Sequence, residues 1–320
     1  MMNNFWEDKK VLITGGYGFV GRYVVQKLYE RYLNRDQLIL FHKNEFDLRR
    51  EEDVKRLFTV NKDIDIVIHL AGDVGGIGYN RKFPGSVFYN NIMMNTLIME
   101  YSRLNRVKKF VGIGSVCSYP KFAYVPFKEE ELWNGYPEET NASYGLAKKM
   151  MLVQGQAYRQ QFRFNAVHLL MVNLYGPMDN FDLENSHVIS GLIRKFVDAK
   201  RENRKEVVVW GTGKASREFL YVEDAAEAIV LATEKYNKHY PVNIGAGFEI
   251  TIKDLVELIV ELRGFKGKVV WDTSRPDGQP RRCLDTSKAE KEFGFKAKTP
   301  FKEGLMETIE WYIGNRYGIH

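Results

Sequence analysis

At 320 residues, with 44% hydrophobic and 28% charged side chains, the chain has the composition of a globular protein that can bury one large core, or a large one and a smaller one. Its 47 basic and 41 acidic residues leave a net charge of +6 with no basic block, which argues against a nucleic-acid-binding tract and suits small phosphate-bearing molecules. Two cysteines, Cys117 and Cys283, make no disulfide framework; with no apolar run near ~20 residues and a polar stretch at 1–10, the expected setting is reducing, cytoplasmic and free of membrane.

The run 10–13 is a short apolar strand that leads directly into Thr14-Gly15-Gly16-Tyr17-Gly18-Phe19-Val20-Gly21. The glycines read either as 16, 18 and 21 or as 15, 18 and 21, and Phe19, Val20, Val24, Val25 and Leu28 recur at helical spacing. Strand, glycines and amphipathic helix in succession are what a pyrophosphate needs: bare backbone to approach and a helix amino end to face. The next strand, 37–41, is expected to end near an adenosine ribose. There the residues are His42, Lys43 and Asn44, with no carboxylate before Glu45, which favours a 2′-phosphate and NADP(H) while leaving NAD(H) open. Asp47 and Leu48 are candidates to cap the next helix or to reach the adenine.

A third strand, 64–70, ends in Leu70, Ala71 and Gly72, small enough to admit a ligand close to the backbone. His69 inside it reads as a satisfied core histidine. The segment 89–103 is predicted helical, and its Met93, Met94 and Met99 read as core or subunit interface. A fourth strand at 110–114 opens into Ser115, Cys117 and Ser118. A helix is predicted over 144–161, with Asn141 or Ser143 as its cap. Tyr144 and Lys148 share one face of that helix, so an ammonium can tune a phenol while the Ser115 hydroxyl shares the substrate's oxygen. This is apparatus for moving a proton on and off a carbonyl or alcohol oxygen.

A strand at 165–172 ends in Asn173, and alternating strands and helices to this point predict a doubly wound parallel sheet. Beyond it the texture changes. The dinucleotide-binding domain is expected to span 1–174, with 218–247 returning to it, and a smaller mixed α/β substrate domain to span 175–320. In the second part, 188–200, 251–263 and 300–317 are predicted helices, and 272–282 reads as an exposed basic loop.

These motifs resemble the extended short-chain dehydrogenase/reductase family. The stretches around Val74-Gly75-Gly76-Ile77, Ser115 to Lys121, Asn173 to Phe181, Asn185 to Ile189, Arg217-Glu218-Phe219-Leu220 and Arg275-Pro276-Asp277-Gly278 are more narrowly similar to its GDP-L-fucose synthases. The resemblance implies an NADPH-dependent 3,5-epimerase/4-reductase acting on a GDP-4-keto-6-deoxy sugar. It makes Cys117 and His187 the acid/base pair beside Ser115, Tyr144 and Lys148. It adds Asn173 and His187 to the cofactor contacts, and it assigns Asn173, Arg194 or Lys195, Trp210, Arg217 and Arg275 to the GDP-sugar. Nucleotide-sugar dehydratases carry an Asp-Glu pair where Val116 and Cys117 stand, which argues against dehydration. No metal ligands are implied, and a homodimer through the helices after the third and fourth strands is. A GDP-4-keto-heptose reductase, or a nucleotide-sensing protein without turnover, are the competing expectations.

Overall fold

The computed structural model describes residues 4–31 and 33–318; the first three residues of the polar amino terminus lie outside them. The strands are β1 (Val11–Thr14), β2 (Leu38–Ile39), β3 (Ile66–His69), β4 (Lys109–Ser115), β5 (Ala166–Met171), β6 (Asn173–Tyr175), β7 (Glu206–Trp210), β8 (Ser216–Arg217), β9 (Phe219–Tyr221), β10 (Val242–Ile244), β11 (Ile250–Thr251) and β12 (Lys268–Asp272). The helices are α1 (Phe19–Glu30), α2 (Glu51–Val60), α3 (Ile77–Lys82), α4 (Pro84–Leu104), α5 (Ala142–Phe162), α6 (Val188–Arg201), α7 (Val222–Lys235), α8 (Ile252–Arg263), α9 (Ser287–Phe293) and α10 (Phe301–Tyr317).

Six strands form a parallel sheet in the order β10-β5-β4-β3-β1-β2. Every residue of β1, β3 and β5 is buried, as in a sheet covered on both faces. Alternate residues go to opposite layers. Val11, Ile13, Ile66, Ile68 and Val111 join the cluster built with α1 and α7, while Leu12, Val67 and Phe110 join the one built with α2 and α4. The chain starts at β1, moves outward to β2, then returns to β3 and runs the other way. A crevice opens at the strands' carboxyl ends where that direction reverses, the place where such sheets bind ligands.

The second lobe has its own cluster, in which Ile193 and Phe196 of α6, Val209 of β7, Leu255 and Ile259 of α8 and Leu305 of α10 meet. Its strand pairs are β7–β12, parallel, and β8–β11, antiparallel, while the parallel pair β6–β9 joins the two lobes, with Leu174 and Leu220 in the first cluster and Tyr175, Phe219 and Tyr221 in the second. β10 joins the six-stranded sheet and α7 packs on α1. A segment not anticipated from the sequence also packs on the first core, through Leu284, Ala289, Phe293 and Phe295.

Two buried histidines set an acid limit on the fold. His69 meets Thr14 Oγ1 at 2.7 Å and Asn95 Oδ1 at 2.9 Å. His168, only 2% exposed, finds no hydrogen-bond partner for either ring nitrogen among the described residues. Burial pulls both imidazoles down to about 3, with Lys148 adding to the effect on His69 and Arg159 to that on His168. Above pH 6.5 neither state binds the protons. Between 6.5 and 3 only the unfolded chain does, so stability is lost as the pH is lowered, by up to about 2.7 kcal/mol per pH unit for the pair. His168→Leu is expected to halve that slope and to leave stability at pH 7 unchanged or higher, read by denaturant melts across pH 4 to 7.

Lys109 caps α7 from the neighbouring strand. Its buried ammonium donates to the carbonyls of Ala232 (3.2 Å), Thr233 and Tyr236 (2.6 Å) at the helix's carboxyl end. Lys109→Met leaves the Thr233 and Tyr236 carbonyls without this donor, while the Ala232 carbonyl keeps the Tyr236 N–H at 3.0 Å, so a loss of about 2 kcal/mol is expected by thermal or denaturant unfolding.

Candidate active site

The crevice is a cleft of about 1000 Å³ between the two lobes. One wall is the turn from β1 into α1. Gly15 has φ +71°, and a Cβ there would stand 2.9 Å from the Ala71 nitrogen; a Cβ on Gly21 would collide with the Gly15 carbonyl oxygen. The turn therefore packs bare backbone against Ala71 and opens the amino end of α1, a cradle that fits a dinucleotide pyrophosphate. Gly15, Gly18, Phe19, Val20, Gly21, Leu70, Ala71 and Gly72 all line the cleft.

β4 ends at Ser115, whose Oγ accepts the Cys117 N–H at 3.1 Å and starts a single 3-10 turn over Val116–Ser118. The first turn of α5 presses on this turn because residue 145 is glycine: a Cβ there would strike the Cys117 carbonyl. The Ser118 hydroxyl donates to the Gly145 carbonyl at 2.8 Å and pins the two together. Tyr144 is thereby carried to Ser115 and Cys117. Burial and the nearby Cys117 push its phenol above the ordinary range, and a hydrogen bond with Ser115 works against them. The phenol is a proton donor at neutral pH. Lys148, 4% exposed, is pulled down to about 8 by burial. Its Nζ stands 3.5 Å from where a Cβ on Gly72 would be, and it is not among the groups that shift Tyr144.

Across the cleft lie Asn173, His187, Lys195, Trp210, Arg217 and Arg275. Asn173 Nδ2 donates to the Glu218 carbonyl at 3.1 Å, and His187 is the N-cap of α6. Lys195 Nζ donates to the Val208 carbonyl at 2.9 Å and lies 5.5 Å from the Trp210 ring centre, with the Arg275 guanidinium 4.9 Å from the same ring. Trp210 is half-exposed between two cations, a surface suited to a flat, phosphate-bearing ligand. Arg217 is buried, donating to the carbonyls of Ser216 (2.7 Å) and Asp277 (2.8 Å). Burial, with Arg282 beside it, pulls the Arg217 guanidinium down to about 9, so it stays charged at neutral pH.

Four expected cofactor contacts and one substrate alternative fall outside the cleft lining. His42 is exposed and stacks on Tyr17, with ring centres 4.1 Å apart and planes 7° apart, and Lys43 is exposed beside it. Asp47 does not cap α2, whose N-cap is Arg50. Its carboxylate is taken by the Arg49 side chain, which holds it down to about 2. The Leu48 side chain is buried in the α2 core. Of the pair Arg194 and Lys195, Arg194 turns away to the Phe181 carbonyl (3.0 Å) and Asp198 (3.7 Å), because neighbours on a helix point about 100° apart.

The sequence matches the model of the NAD dependent epimerase/dehydratase family over residues 11–245. The chain belongs to that family. Within it the chain groups with the GDP-L-fucose synthases: GDP-L-fucose synthase 1 of Arabidopsis thaliana is 40% identical over 309 residues, 97% of this chain and 94% of that protein. Among solved structures, a GDP-6-OMe-4-keto-L-xylo-heptose reductase from C. jejuni superposes with a TM-score of 0.90 at 30% identity, covering 96% of this chain and 98% of the other. A GDP-L-fucose synthetase from Naegleria fowleri bound to NADP gives 0.87 at 29% identity, covering 97% and 95%.

Two features of this cleft escaped the sequence. The 272–282 loop is not exposed throughout: Gln279 and Arg282 are 2% and 6% exposed. Gln279 Nε2 donates to the carbonyls of Pro120 (3.2 Å) and Lys121 (2.9 Å), and its Oε1 accepts Arg282 Nε at 2.8 Å. That brace brings Arg282 Nη1 to 3.5 Å from the Cys117 sulfur. The second is Asp179, buried and lining the cleft next to His187. The signal for both was faint, a second arginine in a charged run and one acid in a polar stretch.

Proposed function

We propose that this protein epimerises C3 and C5 of GDP-4-keto-6-deoxy-D-mannose and reduces C4 with NADPH, producing GDP-L-fucose. One observation carries the reading: a thiol and an imidazole, Cys117 and His187, line the same cleft as Ser115, Tyr144 and Lys148. A 4-reductase alone needs only the last three. A ketone at C4 acidifies the hydrogens on C3 and C5, and inverting each centre takes one group to remove a proton and another to return it on the opposite face. Cys117 and His187 take those roles. Tyr144, as the neutral phenol, gives its proton to the C4 oxygen with Ser115 sharing that oxygen.

NADP(H), when bound, supplies the hydride. Gly15, Gly18, Phe19, Val20 and Gly21 hold its pyrophosphate, Leu70, Ala71, Gly72 and Asn173 border it, and Lys43 beside His42 is the cation for a 2′-phosphate; NAD(H) is the less favoured choice. Residues 1–174, with 218–247 returned to them, form the cofactor domain, and 175–320 the GDP-sugar domain. Lys195, Arg217 and Arg275 meet the diphosphate and Trp210 the base. Phe88 and Tyr89 on α4 and Met150 and Val153 on α5 are exposed apolar residues, and a homodimer in the cytoplasm through those helices covers them. No helix among the described residues is long and apolar enough to cross a membrane.

The likeness to the C. jejuni heptose reductase favours one second reading, 4-reduction of a related GDP-4-keto heptose with or without epimerisation. Incubation with each GDP-4-keto sugar and NADPH in D2O, followed by NMR of the product, separates the two. Deuterium at both C3 and C5 of GDP-L-fucose supports the first. Reduction of the heptose alone, with or without deuterium, replaces it with the second.

A further inference from the structure

His187 Nδ1 lies 4.0 Å from Asp179 Oδ1, and the two side chains are 39% and 3% exposed. Asp179 Oδ1 accepts the Asn180 N–H at 2.7 Å, while its buried Oδ2 has no hydrogen-bond partner among the described residues. A buried carboxylate needs a counter-charge or donors, and leaving one oxygen without either is costly. The nearby arginines are engaged elsewhere. Arg22 bonds the Tyr17 carbonyl (3.0 Å) and the Met178 sulfur (3.5 Å), and Arg194 Nη1 bonds the Phe181 carbonyl (3.0 Å) while its Nε lies 3.7 Å from the Asp198 carboxylate. His187 is the one basic side chain within ion-pair distance of Asp179 among the described residues.

We propose that Asp179 is a positioning residue for His187: it fixes the ring with hydrogen on Nδ1 and leaves Nε2 to face the sugar. This rests on the acid/base reading of His187 given above. An imidazole that exchanges one proton with a ring carbon has to present one nitrogen, in one tautomer, at one angle. The amino end of α6, which His187 caps, repels a positive ring, and a carboxylate behind Nδ1 opposes that repulsion. The proton that moves to or from the sugar carbon is the one on Nε2. The proton on Nδ1 stays with the imidazole, on the side of the ring that faces the carboxylate 4.0 Å away, and is not passed to it.

The test joins a spectroscopic readout to a kinetic one. In protein labelled with 15N-histidine, with the His187 signals assigned by their loss in His187→Gln, the ring is expected in the Nδ1–H tautomer at neutral pH and in the Nε2–H tautomer or a mixture in Asp179→Asn. In D2O, Asp179→Asn is expected to lose roughly a hundredfold or more in deuterium incorporation at C3 and C5, with KM for the sugar nucleotide and NADPH affinity unchanged. Asp179→Glu, which keeps the charge, is expected to recover part of the loss. An Nε2–H ring in the unaltered protein overturns the proposal by itself, even if Asp179→Asn does not fold. So does an Asp179→Asn protein whose tautomer and exchange match the unaltered one. An unaltered protein with an Nδ1–H ring but no exchange at C3 and C5 sinks the acid/base reading and leaves the Asp179–His187 pairing standing.

Discussion

Tyr144→Phe is expected to cut NADPH oxidation by roughly a thousandfold while deuterium exchange at C3 and C5 falls by no more than about tenfold. Hydride arriving at C4 creates an alkoxide unless a proton reaches the oxygen in the same step. The phenol is the donor placed for this, since burial and Cys117 hold it protonated. A thousandfold loss corresponds to about 4 kcal/mol of transition-state stabilisation, within the reach of one general acid in a buried site. Exchange survives because it needs only a polarised ketone and the two proton carriers, and Ser115 still offers a hydroxyl. The substitution removes one oxygen and leaves the ring packed, so the melting temperature and cofactor affinity provide the control. Loss of exchange in parallel with reduction would mean that Tyr144 holds the sugar rather than protonating it. Stopped-flow absorbance of NADPH and NMR of the recovered sugar read the two arms.

Cys117→Ser is expected to have the complementary effect. Exchange falls by roughly a hundredfold or more, because a serine hydroxyl gives up and takes back a proton from carbon far less readily than a thiol does. Reduction then overtakes inversion, and the product is a 6-deoxy sugar that keeps its original C3 and C5 configurations. The surroundings of the sulfur sharpen the prediction. Arg282 Nη1 stands 3.5 Å away and is braced through Gln279 to the backbone of the segment that follows Cys117, so the thiol has a fixed, cationic neighbour. A cysteine that only filled space would not require one. The measurement is deuterium content per reduced sugar together with NADPH binding. Equal losses in exchange and binding would reduce the thiol to a packing residue.

Much of this site could be read along the chain. The turn from β1 to α1, Ser115 at the end of β4, and Tyr144 and Lys148 one helical turn apart are local features. Strand periodicity, glycine sterics and the 3.6-residue helical repeat determine where each side chain stands relative to its own element. The second lobe's Lys195, Trp210, Arg217 and Arg275 were legible only through the resemblance to a known family, not through periodicity or spacing. Other features depend on which elements share a wall. Arg194 and Lys195 have nearly the same sequence context, and only the packing of α6 against the 179–185 loop turns the first away and the second into the cleft. Asp47 looks like a helix cap until Arg49 is seen to claim it, and 272–282 looks like a solvated basic loop until Gln279 is found bonded to the backbone of residues 120 and 121.

The sequence alone therefore determined the parallel sheet, the nucleotide cradle and the proton-handling triad, because each is governed by short-range backbone geometry. Only the tertiary structure decided the supporting groups, Arg282 behind Cys117 and Asp179 behind His187. Those pairs join residues through burial and charge compensation inside one cavity, and neither force leaves a period or a spacing in the chain.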